Sequence, residues 1–205
     1  MNINEIIDLF FQNVANTSLL EIIAVFFGLL SVWFAKKANI LVYPTGIISV
    51  VIYVYICFHA RLYADMGING VYFVMSVYGW VMWSRKTGDN ETLPVSFCRR
   101  KDHILNIIMF VFFFIGLSIL LKRTDSDVPI LDSLTTAIFI VGMWLMALKR
   151  TENWIFWIIG DAISVPLYFY KGLVFSSFQY FVFLIIAVLG YIEWHKMYKE
   201  NQKFA

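Results

Sequence analysis

Apolar stretches of membrane-spanning length recur along the chain between short charged segments, and this pattern constrains the fold more than any other feature. A transmembrane helix needs about 20 predominantly apolar residues. Of the 205 residues, 60% are hydrophobic and 15% are charged, whereas soluble domains are about 45 to 50% apolar and about 25% charged. The sequence therefore predicts an all-α integral membrane protein.

The length of the chain suits seven transmembrane helices and leaves no room for a soluble domain. We predict spans at residues 20–35, 40–60, 66–83, 104–121, 131–148, 154–170 and 175–194. The residues before the first span include Glu5 and Asp8 but no lysine or arginine, so they lack the positive start of a cleaved signal peptide. We interpret them as a short amphipathic lead-in that lies on the membrane.

The distribution of lysine and arginine predicts the orientation, because cytoplasmic loops carry an excess of both. With the N-terminus outside, only four of these sixteen residues fall outside: Arg61, Lys122, Arg123 and Lys171. The other twelve fall on the cytoplasmic side: Lys36, Lys37, Arg85, Lys86, Arg99, Arg100, Lys101, Lys149, Arg150, Lys196, Lys199 and Lys203. We therefore predict an outside N-terminus and a cytoplasmic C-terminus.

Two parts of the chain resemble each other. Gly79 and Trp83 in the third span match Gly190 and Trp194 in the seventh at an offset of 111 residues. Upstream, an offset of 114 residues aligns Asn39 and Gly46 with Asn153 and Gly160, and a basic pair precedes each set, Lys36-Lys37 in the first and Lys149-Arg150 in the second. The alternative is a chance similarity between aromatic-rich helices.

These offsets predict a parallel internal repeat of three helices, one linker helix and three helices. Its parts are a lead-in at 1–19, a first repeat at 20–86, a linker at 87–128, a second repeat at 129–196 and a cytoplasmic tail at 197–205. Parallel repeats are one plan of secondary transporters, in which the substrate is held near the midplane between the halves.

The sixth span carries the main candidate site. At helical spacing, one face presents Trp154, Trp157, Asp161, Ser164 and Tyr168. An intramembrane carboxylate costs about 2.5 to 3.5 kcal/mol on insertion scales and marks a functional site by default. Indoles, hydroxyls and a carboxylate suit a small, flat, hydroxylated molecule, cations included. The alternatives are an interfacial aromatic belt for the tryptophans and a buried structural partner for the carboxylate.

Further candidates lie in the third and seventh spans. They are the substrate-binding candidates Asn69, Tyr72, Gln179 and Tyr180. Amides inside a membrane must find partners, either on neighbouring helices or on a ligand, and the sequence leaves both roles open.

Several classes of protein find no support in the residues. The two cysteines form no metal-ligand spacing, the basic residues form no nucleic-acid surface, and no nucleotide-binding loop is present. We therefore predict no cofactor, no metal, no nucleic-acid partner and no enzymatic activity. An intramembrane enzyme is one rival class, although the sequence contains no His-Glu-x-x-His pair. A receptor or scaffold is the other, and it leaves the face that carries Asp161 unexplained.

The stretch 152–161, Glu-Asn-Trp-Ile-Phe-Trp-Ile-Ile-Gly-Asp, resembles the W-x-x-W-x-x-x-N/D signature of the PnuC family of vitamin transporters. The Tyr78-Gly79-Trp80 sequence that precedes Trp83 is similar to theirs as well, and the resemblance extends to Lys196. This resemblance implies a fold related to the SWEET sugar transporters, a homotrimer in the lipid bilayer, and Trp154, Trp157 and Asp161 in the substrate site.

The same resemblance implies facilitated diffusion of nicotinamide riboside, with trapping by cytoplasmic phosphorylation. Thiamine is the alternative substrate, and relatives also carry riboflavin or deoxynucleosides. Asp161 stands where nicotinamide riboside carriers often have Asn, and Asn69 stands where they often have Gln. Both vitamins are ring cations, so residue chemistry leaves this choice open.

Overall fold

The structure, a computed structural model, describes residues 3–87, 91–124 and 126–204, and within them it contains eight α-helices and one short β-hairpin. The helices are α1 (Ile3–Asn16), α2 (Leu19–Lys36), α3 (Val42–His59), α4 (Tyr63–Ser84), α5 (Arg100–Leu121), α6 (Pro129–Ala147), α7 (Asn153–Tyr170) and α8 (Val174–Phe204). The hairpin pairs β1 (Lys86–Thr87) with β2 (Glu91–Thr92). Parts of the predicted lead-in, linker and tail, at 1–2, 88–90, 125 and 205, lie outside the described residues.

Helices α2 to α8 coincide with the seven predicted apolar stretches to within a few residues. The main difference is at the end of the chain, where α8 continues to Phe204 through the stretch predicted as a tail. This extension contains residues that are good helix formers in water, namely Lys199, Glu200, Gln202 and Lys203. The predicted lead-in forms α1, and the hairpin at 86–92 was not predicted.

Five helices, α2, α3, α5, α6 and α8, are long and apolar enough to cross a membrane. The other two predicted spans, α4 and α7, are not among these five. They contain the polar residues singled out above, including Asn69 and Asp161, which lower the mean hydropathy of any window that contains them. The chain is therefore a multi-pass membrane protein, while the count of seven spans stays a prediction.

Six of the helices pack in a closed ring. Each packs against the next in the order α2, α3, α4, α6, α7 and α8, and α8 packs against α2. Outside this ring, α5 packs against α6 and α1 packs against α8. The groups α2–α4 and α6–α8 therefore meet at two junctions, α4 with α6 and α8 with α2.

An indole N–H closes each junction at the same end of the ring. Nε1 of Trp83 donates to the carbonyl oxygen of Met146, 3.2 Å away, and Nε1 of Trp194 donates to that of Ala35, 2.9 Å away. Both indoles are buried. The carbonyls of Met146 and Ala35 also accept the backbone N–H groups of Lys149 and Ala38, each 2.9 Å away. Because a carbonyl oxygen has two lone pairs, each indole uses the remaining one and thereby satisfies its own buried donor.

Close approaches recur at the same 111-residue spacing. Tyr43 lies flat against Gly79 and Trp154 lies flat against Gly190, so that an added Cβ would clash with either ring. The turns that precede these rings each contain a left-handed residue, Ala38 or Lys149, with φ of 49° in both. The left-handed residues of these turns are therefore 111 residues apart. The sequence comparison that paired Asn39 with Asn153 used a spacing of 114 residues.

Helix α1 is attached to the start of α8. The side-chain oxygen of Asn13 accepts a hydrogen bond from the backbone N–H of Val174 at 2.9 Å, and Phe10 packs against Phe175 and Phe178. The amide of Asn13 therefore acts as a helix cap supplied by another helix.

A strap formed by residues 93–99 crosses the turn between α6 and α7. The N–H of Ser96 donates to the carbonyl of Lys149 at 3.0 Å, and Ser96 in turn accepts from the N–H of Thr151 at 2.8 Å. Arg150 donates to Ser96 Oγ at 2.7 Å and forms an ion pair with Asp102 at 3.2 Å. These contacts fix α5 to the second group of helices.

Candidate functional site

The predicted face of α7 turns largely inward. Trp154, Asp161 and Ser164 are buried, and Trp157 and Tyr168 are half-buried. Helix α7 packs against α6 on one side and α8 on the other, and these helices cover the face. Pro166, with no N–H to donate, lies on the exposed side of the helix, where it interrupts the backbone ladder away from the site.

Asp161 is 2% exposed and lies near the middle of α7. The two ion pairs among the described residues lie elsewhere, between Arg150 and Asp102 and between Lys171 and Asp132. Neither cation reaches Asp161, since each lies at an end of α7, about 15 Å along the axis at 1.5 Å per residue. The carboxylate is therefore buried without a cationic partner, which is costly unless a ligand supplies one.

Three buried polar atoms on α7 have no hydrogen-bond partner among the described residues: Asn153 Oδ1, Trp154 Nε1 and Ser164 Oγ. Nearly all buried polar groups in proteins are hydrogen-bonded, so unpaired groups call for an explanation such as a bound ligand or water. Asp161 adds to the same helix a buried carboxyl group without a cationic partner among those residues.

Aromatic rings from three helices stack beside Asp161. Trp157 of α7 stacks on Phe139 of α6, with ring centroids 5.3 Å apart and planes at 25°. Phe139 also stacks on Tyr180 of α8, at 6.1 Å and 5°. Tyr180 contacts Tyr168 at 4.7 Å and interacts electrostatically with Asp161.

The first group of helices reaches this cluster through Tyr72 of α4. Its hydroxyl lies near those of Tyr168 and Tyr180. The predicted residues Tyr72, Tyr168, Tyr180 and Asp161 therefore come together, although they belong to three helices. An aromatic slot with one carboxylate can bind a flat cation by stacking and charge attraction.

The side chains of the two predicted amides make no hydrogen bond to the described residues of this cluster. Nδ2 of Asn69 donates to the backbone oxygen of Asp65, 2.9 Å away on its own helix. Gln179 is half-buried and makes no hydrogen bond to a described residue. Asn69 thus has a local partner, which is the structural alternative that the sequence left open.

Trp154 lies in different surroundings from Trp157. It belongs to a buried cluster with Tyr43, Trp83 and Trp194, and it meets Trp194 edge to face at 5.7 Å. The cluster lies at the end of the ring where the indole N–H groups close the helix junctions. The two tryptophans of the signature are therefore one core residue and one residue of the ring stack.

Sequence reasoning missed two aromatic residues of this region. Phe139 lies in an apolar run of α6 without a polar neighbour, and Tyr53 of α3 interacts electrostatically with Tyr168 and Glu21. Neither carries a signal that separates it from ordinary membrane-helix residues. Among the described residues, no group of three histidine, cysteine, aspartate or glutamate side chains could hold a metal ion.

Residues 18–196 match the family described as nicotinamide mononucleotide transporter. The chain is 28% identical to the nicotinamide riboside transporter PnuC of Escherichia coli (strain K12), over 90% of this chain and 88% of that protein. It is 29% identical to the nicotinamide riboside transporter PnuC of Neisseria mucosa, over 90% of this chain and 74% of that protein. It is 25% identical to the riboflavin/roseoflavin transporter RibM of Streptomyces davaonensis, over 82% of this chain and 80% of that protein.

A solved structure is similar over nearly the whole chain. The crystal structure of the vitamin B3 transporter PnuC superposes with a TM-score of 0.70 at 27% sequence identity. The match covers 95% of this chain and 90% of that one. The similarity thus extends over all the helices of the ring.

Proposed function

We propose, from the premise that this chain belongs to the nicotinamide mononucleotide transporter family, that it carries nicotinamide riboside across the membrane. The chain is a membrane vitamin transporter and not an enzyme. The relatives named nicotinamide riboside transporter support this substrate over the others that the family name allows.

The observation that carries the proposal is a buried carboxylate without a cation beside a stack of aromatic rings. Nicotinamide riboside joins a positively charged pyridinium ring to a ribose with hydroxyl groups. Its ring would stack within the group of Trp157, Phe139 and Tyr180, and Asp161 would balance its charge or accept from its hydroxyls. Ser164 would pair its free hydroxyl with the ribose.

Thiamine is the second candidate, because it is also a ring cation and Asp161 could balance its charge equally well. Riboflavin has an uncharged three-ring system, so the buried carboxylate favours it less. Its place as a candidate depends on the likeness to RibM.

The mechanism we infer is alternating access. The groups α2–α4 and α6–α8 form two parallel repeats, α5 links them as in SWEET transporters, and the substrate binds between them. With seven spans, the N-terminus lies outside and the C-terminus in the cytoplasm of a bacterium, across its inner membrane. Transport is facilitated diffusion, phosphorylation in the cytoplasm traps the vitamin, and three copies form a homotrimer.

A ligand panel on the purified protein tests the substrate. Nicotinamide riboside, thiamine, riboflavin and thymidine are compared by thermal unfolding, because a ligand that binds only the folded state stabilises it by about 2.7 kcal/mol at one hundred times its Kd. We expect the largest rise in melting temperature with nicotinamide riboside, and counterflow of the labelled compound in liposomes. If thiamine alone raises the melting temperature, thiamine replaces nicotinamide riboside as the proposed substrate. If liposomes without the protein take up the labelled compound at the same rate, the proposed transport is refuted.

A further inference from the structure

Phe139 is the shared member of the ring stack. Its ring is nearly parallel to that of Trp157 on one neighbouring helix and to that of Tyr180 on another. The side chain is 7% exposed and carries no polar group. Phe139 therefore fixes the distance and tilt between two rings that we place in the substrate site.

Two glycines hold these rings in their planes. Phe139 lies against the backbone of Gly160, where an added Cβ would clash with the ring. In return, Trp157 lies against Gly142, with an added Cβ 3.4 Å from the indole. Each helix thus places one ring against a glycine of the other, and the two rings stack on each other.

Helix packing alone does not require this pair of rings. At the 111-residue spacing, Phe139 corresponds to Gly28 and Trp157 to Gly46. The helices α2 and α3 pack there through glycine against serine, with an added Cβ 3.3 Å or 2.9 Å from a serine hydroxyl. The same crossing is therefore built without rings in the first group of helices, so the rings of the second group call for another reason.

We propose that Phe139 determines the specificity of the site by providing the face on which the ring of the substrate stacks. This proposal rests on the proposed transport of a ring vitamin. A substrate ring takes the place of Trp157 or Tyr180 against Phe139, while the other of these two rings keeps its present contact. Because Phe139 lies against the backbone of Gly160 and fills the space between α6 and α7, it leaves room for a single aromatic ring and excludes a fused three-ring system.

Three variants test this role by calorimetry with nicotinamide riboside. Phe139→Leu keeps an apolar side chain but removes the ring, and Phe139→Tyr keeps the ring. Phe181→Leu is the matched control, because Phe181 lies on α8 beside Tyr180 but is 48% exposed. Stacking of a ring on an aromatic side chain is worth roughly tenfold or more in affinity.

We expect Phe139→Leu to weaken binding about tenfold or more, with the tyrosine variant and the Phe181→Leu control within about twofold of the unaltered protein. We also expect the leucine variant to gain measurable riboflavin binding. If Phe139→Leu binds nicotinamide riboside normally, or if the tyrosine variant fails as badly as the leucine variant, the ring has no specific role. Loss of nicotinamide riboside binding with no gain for riboflavin would overturn the size limit.

The outcome is separable from that of the proposed function. If the unaltered protein binds thiamine and not nicotinamide riboside, the proposed substrate is wrong. The affinity of each variant relative to the unaltered protein is then measured with thiamine. If the unaltered protein binds nicotinamide riboside and the ratios stay near one, the substrate stands and the role of Phe139 is refuted.

Discussion

At the scale of single residues, Asp161 contrasts with the charged side chains that have an ion-pair partner. The charged side chains Lys171 and Asp132 lie 2.6 Å apart near the ends of their helices and neutralise each other. Asp161 lies deeper and has no such partner among the described residues. Its burial is therefore unfavourable for folding, and a ligand that supplies a positive charge would relieve it.

The first prediction compares Asp161→Asn with Asp161→Ala. The amide keeps an acceptor for hydroxyls and loses the charge, so we expect affinity to fall about tenfold, since a hydrogen bond to a charged group is worth about 1.5 to 3 kcal/mol. Alanine loses both and should weaken binding about a hundredfold or more. Calorimetry on the purified variants gives the affinities, and thermal unfolding gives the stability.

Stability separates the possible roles of this residue. Because both variants remove a buried carboxyl group that has no cationic partner among the described residues, we expect each to melt at or above the temperature of the unaltered protein. Variants that melt early while the folded fraction binds normally would make Asp161 a structural residue. Equal loss of transport in both, together with uptake that follows an imposed pH gradient, would make it a proton relay.

At the scale of helices, contact between glycine and a ring sets how closely neighbours approach. Gly190 of α8 provides the flat surface against which Trp154 of α7 lies. In the absence of a hydrophobic drive inside lipid, such small residues allow the close packing that holds membrane helices together. The first tryptophan of the signature thus serves the junction of two helices.

The second prediction concerns Gly190→Ala. The added methyl group would come 2.5 Å from the Trp154 ring, so the helices must separate, and overpacking of this kind costs about 1 to 3 kcal/mol. We expect a lower melting temperature by intrinsic fluorescence in detergent. The control is Gly116→Ala on α5, where nothing lies within 4 Å of an added Cβ and the better helix propensity of alanine is the main effect. Equal melting of both variants would show that the ring moves aside at no cost.

At the scale of the whole molecule, the thiol of Cys98 is a poor reporter of which side of the membrane its strap faces. Burial, and then the neighbouring carboxylate of Glu152, raise the pKa of this thiol to about 12. The backbone N–H of Cys98 donates to the same carboxylate at 2.8 Å, which holds it close. The reactive thiolate is scarce below that pH, so slow labelling says nothing about location.

The third prediction therefore tests orientation with Gln202→Cys in a Cys98→Ser background, since Gln202 is exposed near the end of α8. We expect a membrane-impermeant maleimide to label it in inside-out vesicles and not in intact spheroplasts. The Cys98→Ser parent accounts for the buried Cys57. Rapid labelling in intact spheroplasts would place the C-terminus outside and reverse the assignment of every loop.

Composition and apolar length were enough to predict the helices from the sequence. The double-tryptophan stretch indicated a member of the PnuC transporter family. The family match confirms this prediction and the prediction that the protein is not an enzyme. The site was harder to predict, because a residue's neighbours depend on helix packing. Asp161 stood out by its charge, whereas Phe139 looked like any apolar residue and Asn69 turned out to bond its own helix.

The contact between Asn13 and the start of α8 has a consequence for shortened forms of the protein. The residues just before α8, Gly172 and Leu173, offer no side-chain acceptor, so Asn13 supplies the one that Val174 uses. Removing α1 would leave that backbone N–H without its partner and expose the faces of Phe175 and Phe178 that Phe10 covers. Truncation at the first apolar span would therefore disturb the beginning of the helix that carries Tyr180, so expression trials should keep α1.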